Sequence, residues 1–152
     1  MQSKSLIVAM IPEAEGLPPA PPAEVRRAVV PQSKVFTVTA LPQNFWTALH
    51  KVETQGRMGP VKGDEGRALG PLQIHRSYWK DAVAANPSLG GRYEDVANWS
   101  YAVRVVDAYL KRHAPDAYRK KDLDTLARVH NGGPRGHQKS ATNSYLSKFK
   151  KN

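Results

Sequence analysis

The sequence predicts a mainly α domain of about five helices with one small turn or hairpin region beside a cleft. Two observations carry this. Apolar residues recur at helical spacing in several windows after residue 43, each bounded by capping or breaking residues. Between the first two windows, residues 56–70 hold five glycines and one proline, which suits tight turns and not a helix.

The elements follow in order. Phe45, Ala48, Leu49 and Val52 fall at i, i+3, i+4 and i+7, an amphipathic helix with Asn44 as its expected cap and Gly56 as its expected stop. Glu53 closes this helix, one turn beyond Leu49, at the border of its apolar face. Asp64 and Glu65 lie in the glycine-rich stretch. Ser77 is the expected cap of a second helix through Ala85, ended by Asn86-Pro87. Trp99, Ala102, Val103, Val106, Leu110 and His113 trace the longest helix, halted near Pro115. Asp122 caps a shorter one carrying Leu123, Leu126, Ala127 and His130, and the loop Asn131 to Gly136 follows. Ser140 is the expected cap of a last helix with Thr142, Tyr145, Leu146 and Phe149 on one face.

The first 43 residues read differently. Seven of the twelve prolines fall at or before Pro42, and proline lacks an amide donor and biases its neighbour to extended backbone. Residues 1–43 are therefore expected to be a Pro-rich arm or linker, and 44–152 the domain that carries the chemistry. Lys34 to Ala40 alternates and reads as a short strand or an extended clamp. Leu6 to Ile11 is apolar but short for a signal peptide.

The net charge of +10 points to a polyanionic partner: nucleic acid, an anionic membrane or an anionic wall polymer. No apolar run approaches the roughly 18 residues of a membrane span. The basic residues are scattered without an aromatic-basic or zinc-finger signature, which makes a nucleic-acid partner the weaker reading. No cysteine is present, so neither a disulfide nor a thiolate takes part. His50, His75, His113, His130 and His137 lack ligand spacing, and neither a metal nor a cofactor is expected.

Glu53 and Asp64 are the candidate catalytic pair. Glycosidic bonds are usually cleaved by two carboxyl groups flanking the scissile oxygen, one as acid and one as nucleophile or base. Glu53 borders an apolar face, which favours a protonated acid; Asp64 sits in a polar turn, which favours an ionised partner. Carboxylates at such spacing also arise as surface and turn residues, so the pair alone leaves both readings open.

Three blocks of sequence narrow them. Glu53 is followed by Asp64-Glu65-Gly66, then Gly70-Pro71-Leu72-Gln73-Ile74, then Tyr78-Trp79 with Asp81. Far downstream come Ala127-Arg128-Val129-His130-Asn131-Gly132-Gly133-Pro134-Arg135-Gly136, then Thr142 and Tyr145. In order and content these blocks resemble the invertebrate-type (i-type, destabilase-like) lysozymes over roughly residues 43–149. The resemblance implies a lysozyme-like α+β fold. It also implies a muramidase that cleaves the β-1,4 bond between N-acetylmuramic acid and N-acetylglucosamine in peptidoglycan and retains the anomeric configuration. It carries the general acid onto Glu53 and the nucleophile or ion-stabilising carboxylate onto Asp64.

Gln73, Ile74, Tyr78, His130, Asn131 and Gly132 are the expected substrate-binding residues, each with a structural alternative: a buried amide, a core aromatic, a hydrogen-bonded core histidine, a helix stop. Members of this family are typically cysteine-rich, and this chain is not. The isopeptidase activity credited to some of them is tied to a serine just after the acidic turn, where Arg67 stands here, so it is not expected. Export or cell-wall association fits the reading, although no clear signal peptide is legible. The competing readings are a lytic transglycosylase, which needs one catalytic acid, and a non-enzymatic cationic protein that binds cell wall or nucleic acid.

Overall fold

The structure is a computed structural model, and it describes residues 39–152, all within one compact unit, Gln32–Asn152. The short apolar run Leu6 to Ile11 and most of the Pro-rich arm lie outside the described residues. So do residues 34–38 of the expected strand; Thr39 and Ala40 are not in one. Packing begins before residue 44, since Leu41 is buried and Thr39 donates to Asp107 at 2.6 Å.

Among the described residues six helices and a three-stranded sheet alternate in the order α1 (Gln43–Thr54), β1 (Lys62–Gly63), β2 (Ala68–Leu69), β3 (Ile74–His75), α2 (Arg76–Ala85), α3 (Trp99–His113), α4 (Pro115–Lys120), α5 (Leu123–Gly132) and α6 (Asn143–Lys150). Five of the helices match the expected windows. The sixth, α4, is started by Pro115, whose fixed φ and missing N–H suit the first helical position. No helix among the described residues is long and apolar enough to cross a membrane.

Helix α3 is the axis of the domain. Nine of its fifteen residues are buried, which a helix needs when α2, α4 and α5 all pack on it. Its Asn98 side chain accepts from Tyr101 N–H and Asp122 caps α5 by accepting from Thr125 N–H, both as residue type predicts. The other expected caps are corrected. Helix α1 starts at Gln43 behind Pro42, α2 at Arg76 behind His75, and α6 at Asn143 behind a 3₁₀ turn, so neither Asn44, Ser77 nor Ser140 caps through its side chain. The left-handed residue that ends α1 is Gln55, with Gly56 following at φ 84°. Core packing fixes these starts instead: Phe45, Trp46 and Leu49 bury against Phe149 and the α3 stripe.

The sheet is antiparallel in the order β1-β2-β3, with Gly63 opposite Ala68 and Leu69 opposite Ile74. Gly70, at φ 87°, ends β2 where its backbone presses on Val96 O; a Cβ there would overlap that carbonyl. This contact anchors the small sheet to the turn before α3 and so fixes the far wall of the cleft.

Candidate active site

Glu53 stands in the last turn of α1, its side chain 14% exposed. Its Oε2 accepts from Tyr145 Oη on α6 at 2.7 Å and lies 3.2 Å from His130 Nε2 on α5. His130 Nε2 also lies 3.1 Å from Leu72 O. A carbonyl only accepts, so Nε2 carries hydrogen and is shared between Leu72 O and Glu53. His130 Nδ1 faces Tyr78 Oη at 2.8 Å; in the neutral imidazole with hydrogen on Nε2, Nδ1 is the acceptor and the phenol donates. Tyr78 is stacked on Tyr109 of α3, with ring centroids 3.6 Å apart and planes 10° apart.

Burial, then the neighbouring Tyr109 and the charge of Glu53, push the Tyr78 phenol well above its ordinary range. Burial and Glu53 do the same to Tyr145. Both phenols therefore stay protonated and keep donating. Five helices thus converge to hold one carboxyl group: α1 carries it, α5 and α6 bond it, and α2 and α3 fix the histidine that bonds it.

Asp64 is built in the opposite way. It opens the 3₁₀ turn Asp64–Gly66 between β1 and β2, and Asp64, Glu65 and Gly66 all have positive φ. Non-glycine residues at left-handed φ are uncommon, and Asp is among the few that adopt it readily because its short side chain bonds locally. Its carboxylate, 47% exposed, pairs with Arg67 at 2.9 Å and His75 at 3.2 Å. The Arg67 guanidinium, with a smaller contribution from His75, holds the Asp64 carboxyl below its ordinary pKa. The site therefore offers one enclosed carboxyl among hydroxyl and imidazole donors, and one open carboxylate kept ionised by cations.

Both line one cleft of about 510 Å³, with Gln73, Tyr78, His130 and Asn131 among the other walls. The expected substrate residues divide. Asn131 is exposed on the cleft and Gly133 lies beside it. Asn131 and Gly132 form the last turn of α5 and are not loop, because Gly133 at φ 87° is where the helix stops. Gly132 packs on Thr142, where a Cβ would fall 2.6 Å from Cγ2, so close packing is what requires glycine there. Ile74 is fully buried, and its side chain belongs to the core, not to the cleft as expected.

Gln73 reaches the cleft, but its Nε2 is spent on Val61 O and Gly70 O, and its Oε1 occupies the space a Gly63 side chain would need. It braces the hairpin that carries Asp64. His130 and Tyr78 act on Glu53 before any sugar. In the sequence Tyr145 falls on an apolar stripe and in the last resemblance block, with no sign of its bond to Glu53. The available signal was that a buried tyrosine hydroxyl usually finds a partner, and the helix-ending Glu53 was an acid in want of one. Asp81, also on the cleft and 3.5 Å from His113 Nε2, was read only as part of a motif.

The domain that carries this cleft is similar to known proteins. The Destabilase family model matches residues 44–152. A lysozyme of Ostrea edulis is 37% identical over 81% of this chain and 89% of its own length. One of Meretrix lusoria is 33% identical over 72% of this chain and 88% of its own. The Meretrix lusoria lysozyme, solved in complex with Aeromonas hydrophila PliI, superposes with a TM-score of 0.62 at 30% identity, covering 76% of this chain and 93% of that one. The Tapes japonica lysozyme superposes at 0.61 and 26% identity, covering 76% and 94%. With its matched domain, its helical fold and its small sheet in agreement, the chain belongs to the Destabilase family, the invertebrate-type lysozymes, and is a lysozyme-type glycosidase.

Proposed function

We propose that the protein is a muramidase that cleaves the β-1,4 bond between N-acetylmuramic acid and N-acetylglucosamine in peptidoglycan, with Glu53 as general acid and Asp64 as nucleophile or ion-stabilising carboxylate. The observation that carries the reading is the contrast between the two carboxyl groups on one cleft: Glu53 enclosed by Tyr145 and His130, Asp64 open and paired with Arg67.

The steps follow from this contrast. Oε2 of Glu53 is engaged by two donors, so the transferable proton belongs on Oε1. Glu53 gives it to the glycosidic oxygen as the bond to the anomeric carbon breaks, and the leaving sugar departs as an alcohol. Asp64 meets the developing positive charge at the anomeric carbon. Water then attacks that carbon and returns its proton to Glu53, leaving muramic acid as the new reducing end with its configuration retained. Gln73 supports Asp64 through the hairpin, and Asn131 is positioned to contact the sugar. Borohydride reduction of a digest tests the bond: muramitol is the expected product. Glucosaminitol as the main product would overturn the assignment.

Two predictions follow from the neighbours of the pair. Arg67→Ala removes the main influence that lowers the Asp64 pKa, so that pKa rises. Activity that needs ionised Asp64 is then lost earlier on acidification, and the acid limb of the pH–rate profile moves to higher pH. An unmoved limb would separate Asp64 from that ionisation. Tyr145→Phe removes one of two donors to Glu53 and leaves the ring packing. Steady-state kinetics should show kcat down about tenfold with KM unchanged, as for loss of one hydrogen bond to a charged group.

A further inference from the structure

A second cavity, of about 560 Å³, lies at the C-terminal end of α2 and along α3, on residues that flank the cleft-lining Tyr109. Its floor is apolar, from Leu89, Val103 and Ala108. Its rim carries three cations from α3: Arg104, Lys111 and Arg112, all exposed. One acid, Asp107, is on its lining, and it is already committed. Its Oδ1 accepts from Thr39 Oγ1 and from Tyr118 Oη, each at 2.6 Å. Burial, with Asp107 itself, pushes the Tyr118 phenol up to about 12, so that donor persists.

Lys111 and Arg112 sit in the last turn of α3, where cations favour the negative end of the helix dipole. Lys111 also lies over the Tyr118 ring. Arg104 is two turns upstream, where the dipole gives nothing. Neither Arg104 nor Arg112 pairs with a carboxylate among the described residues. They stand at i and i+8, about 80° apart around the helix, and both line the cavity. The cleft presents the reverse pattern: Glu53, Asp64 and Asp81 line it with His75 and His130, and Arg67 beside it is already paired with Asp64. Anionic groups on a polymer substrate are thus poorly received at the cleft and well received here. The distance is short. Asp81 lines the cleft and Ala85, one turn on along α2, lines the second cavity, about 6 Å further along the helix axis.

We infer that the cavity rimmed by Arg104, Lys111 and Arg112 is an oxyanion site that holds a phosphodiester or carboxylate group of the wall polymer while a neighbouring sugar occupies the cleft. Guanidinium groups suit both anions, because their planar fork bonds two oxygens at once. The inference rests on the proposed function only for the source of the anion.

The test is calorimetric titration of the full chain with poly(glycerol phosphate) and, separately, with polyglucuronate. The double variant Arg104→Gln/Arg112→Gln is compared with the charge-matched control Lys51→Gln/Lys148→Gln, whose residues are exposed and off the cavity. The expected result is about a tenfold loss of affinity for at least one polymer in the first variant, as for loss of charge-assisted hydrogen bonds, with the control within about twofold of the parent. A response to the first polymer alone assigns a phosphodiester, and to the second alone a carboxylate. Equal losses in both variants, or no binding by the parent, would overturn the site, since the charge would then act only in bulk. Hydrolysis of an uncharged soluble oligosaccharide is read in parallel and should be the same in parent and Arg variant. If no protein hydrolyses it while the affinity pattern holds, the oxyanion site stands and the muramidase reading fails.

Discussion

Glu53→Gln is expected to lower kcat on peptidoglycan by about 10²–10⁴-fold, the span typical of a lost general acid–base group. The substitution is a clean one here. The amide oxygen can take the place of Oε2 and still accept from Tyr145 Oη and His130 Nε2–H, so the convergence of α5 and α6 on α1 is kept. What disappears is a proton that can leave Oε1. Thermal unfolding should therefore match the parent closely while turnover collapses. Equal losses of activity and stability would instead mean that Glu53 serves the packing of the helices.

Asp64→Asn is the second large effect, a fall in kcat of about 10²–10³-fold, the range for removing one electrostatic partner of a transition-state charge. Asn tolerates left-handed backbone as Asp does, so the φ of 51° costs little. The ion pairs with Arg67 and His75 are lost, but both are exposed and contribute little to stability. The change thus isolates the charge that would meet the anomeric carbon. A lytic transglycosylase, which closes a 1,6-anhydro ring with one catalytic acid, would keep most of its activity in this variant.

The sequence was legible wherever one residue's chemistry decided its own surroundings. The helical windows followed from apolar spacing, and the glycine-rich stretch had to be turns. Asp122 as a cap follows from residue type and position. It was illegible where a contact joins distant segments. Tyr145 is 92 residues from Glu53, and no periodicity announces their bond. His130 meets Leu72 O across 58 residues, so its role as a donor to Glu53 emerges only from the fold.

Ile74 illustrates the opposite error. Its place in a motif beside Gln73 suggested the cleft, but successive strand residues face opposite sides, and Ile74 turns inward where His75, the next strand residue, turns outward. The expected helix caps Asn44, Ser77 and Ser140 failed for a related reason. Burial of Phe45, Trp46, Ala82 and Tyr145 sets where those helices begin, and packing outweighs a capping bond of about 1 kcal/mol.

The most direct test of the two-carboxylate account is mass analysis of the products released from one purified peptidoglycan by the parent, Glu53→Gln and Asp64→Asn. The account predicts ordinary reducing ends from the parent and a loss of orders of magnitude in both variants. Anhydro ends from the parent, with Asp64→Asn still active, would contradict it.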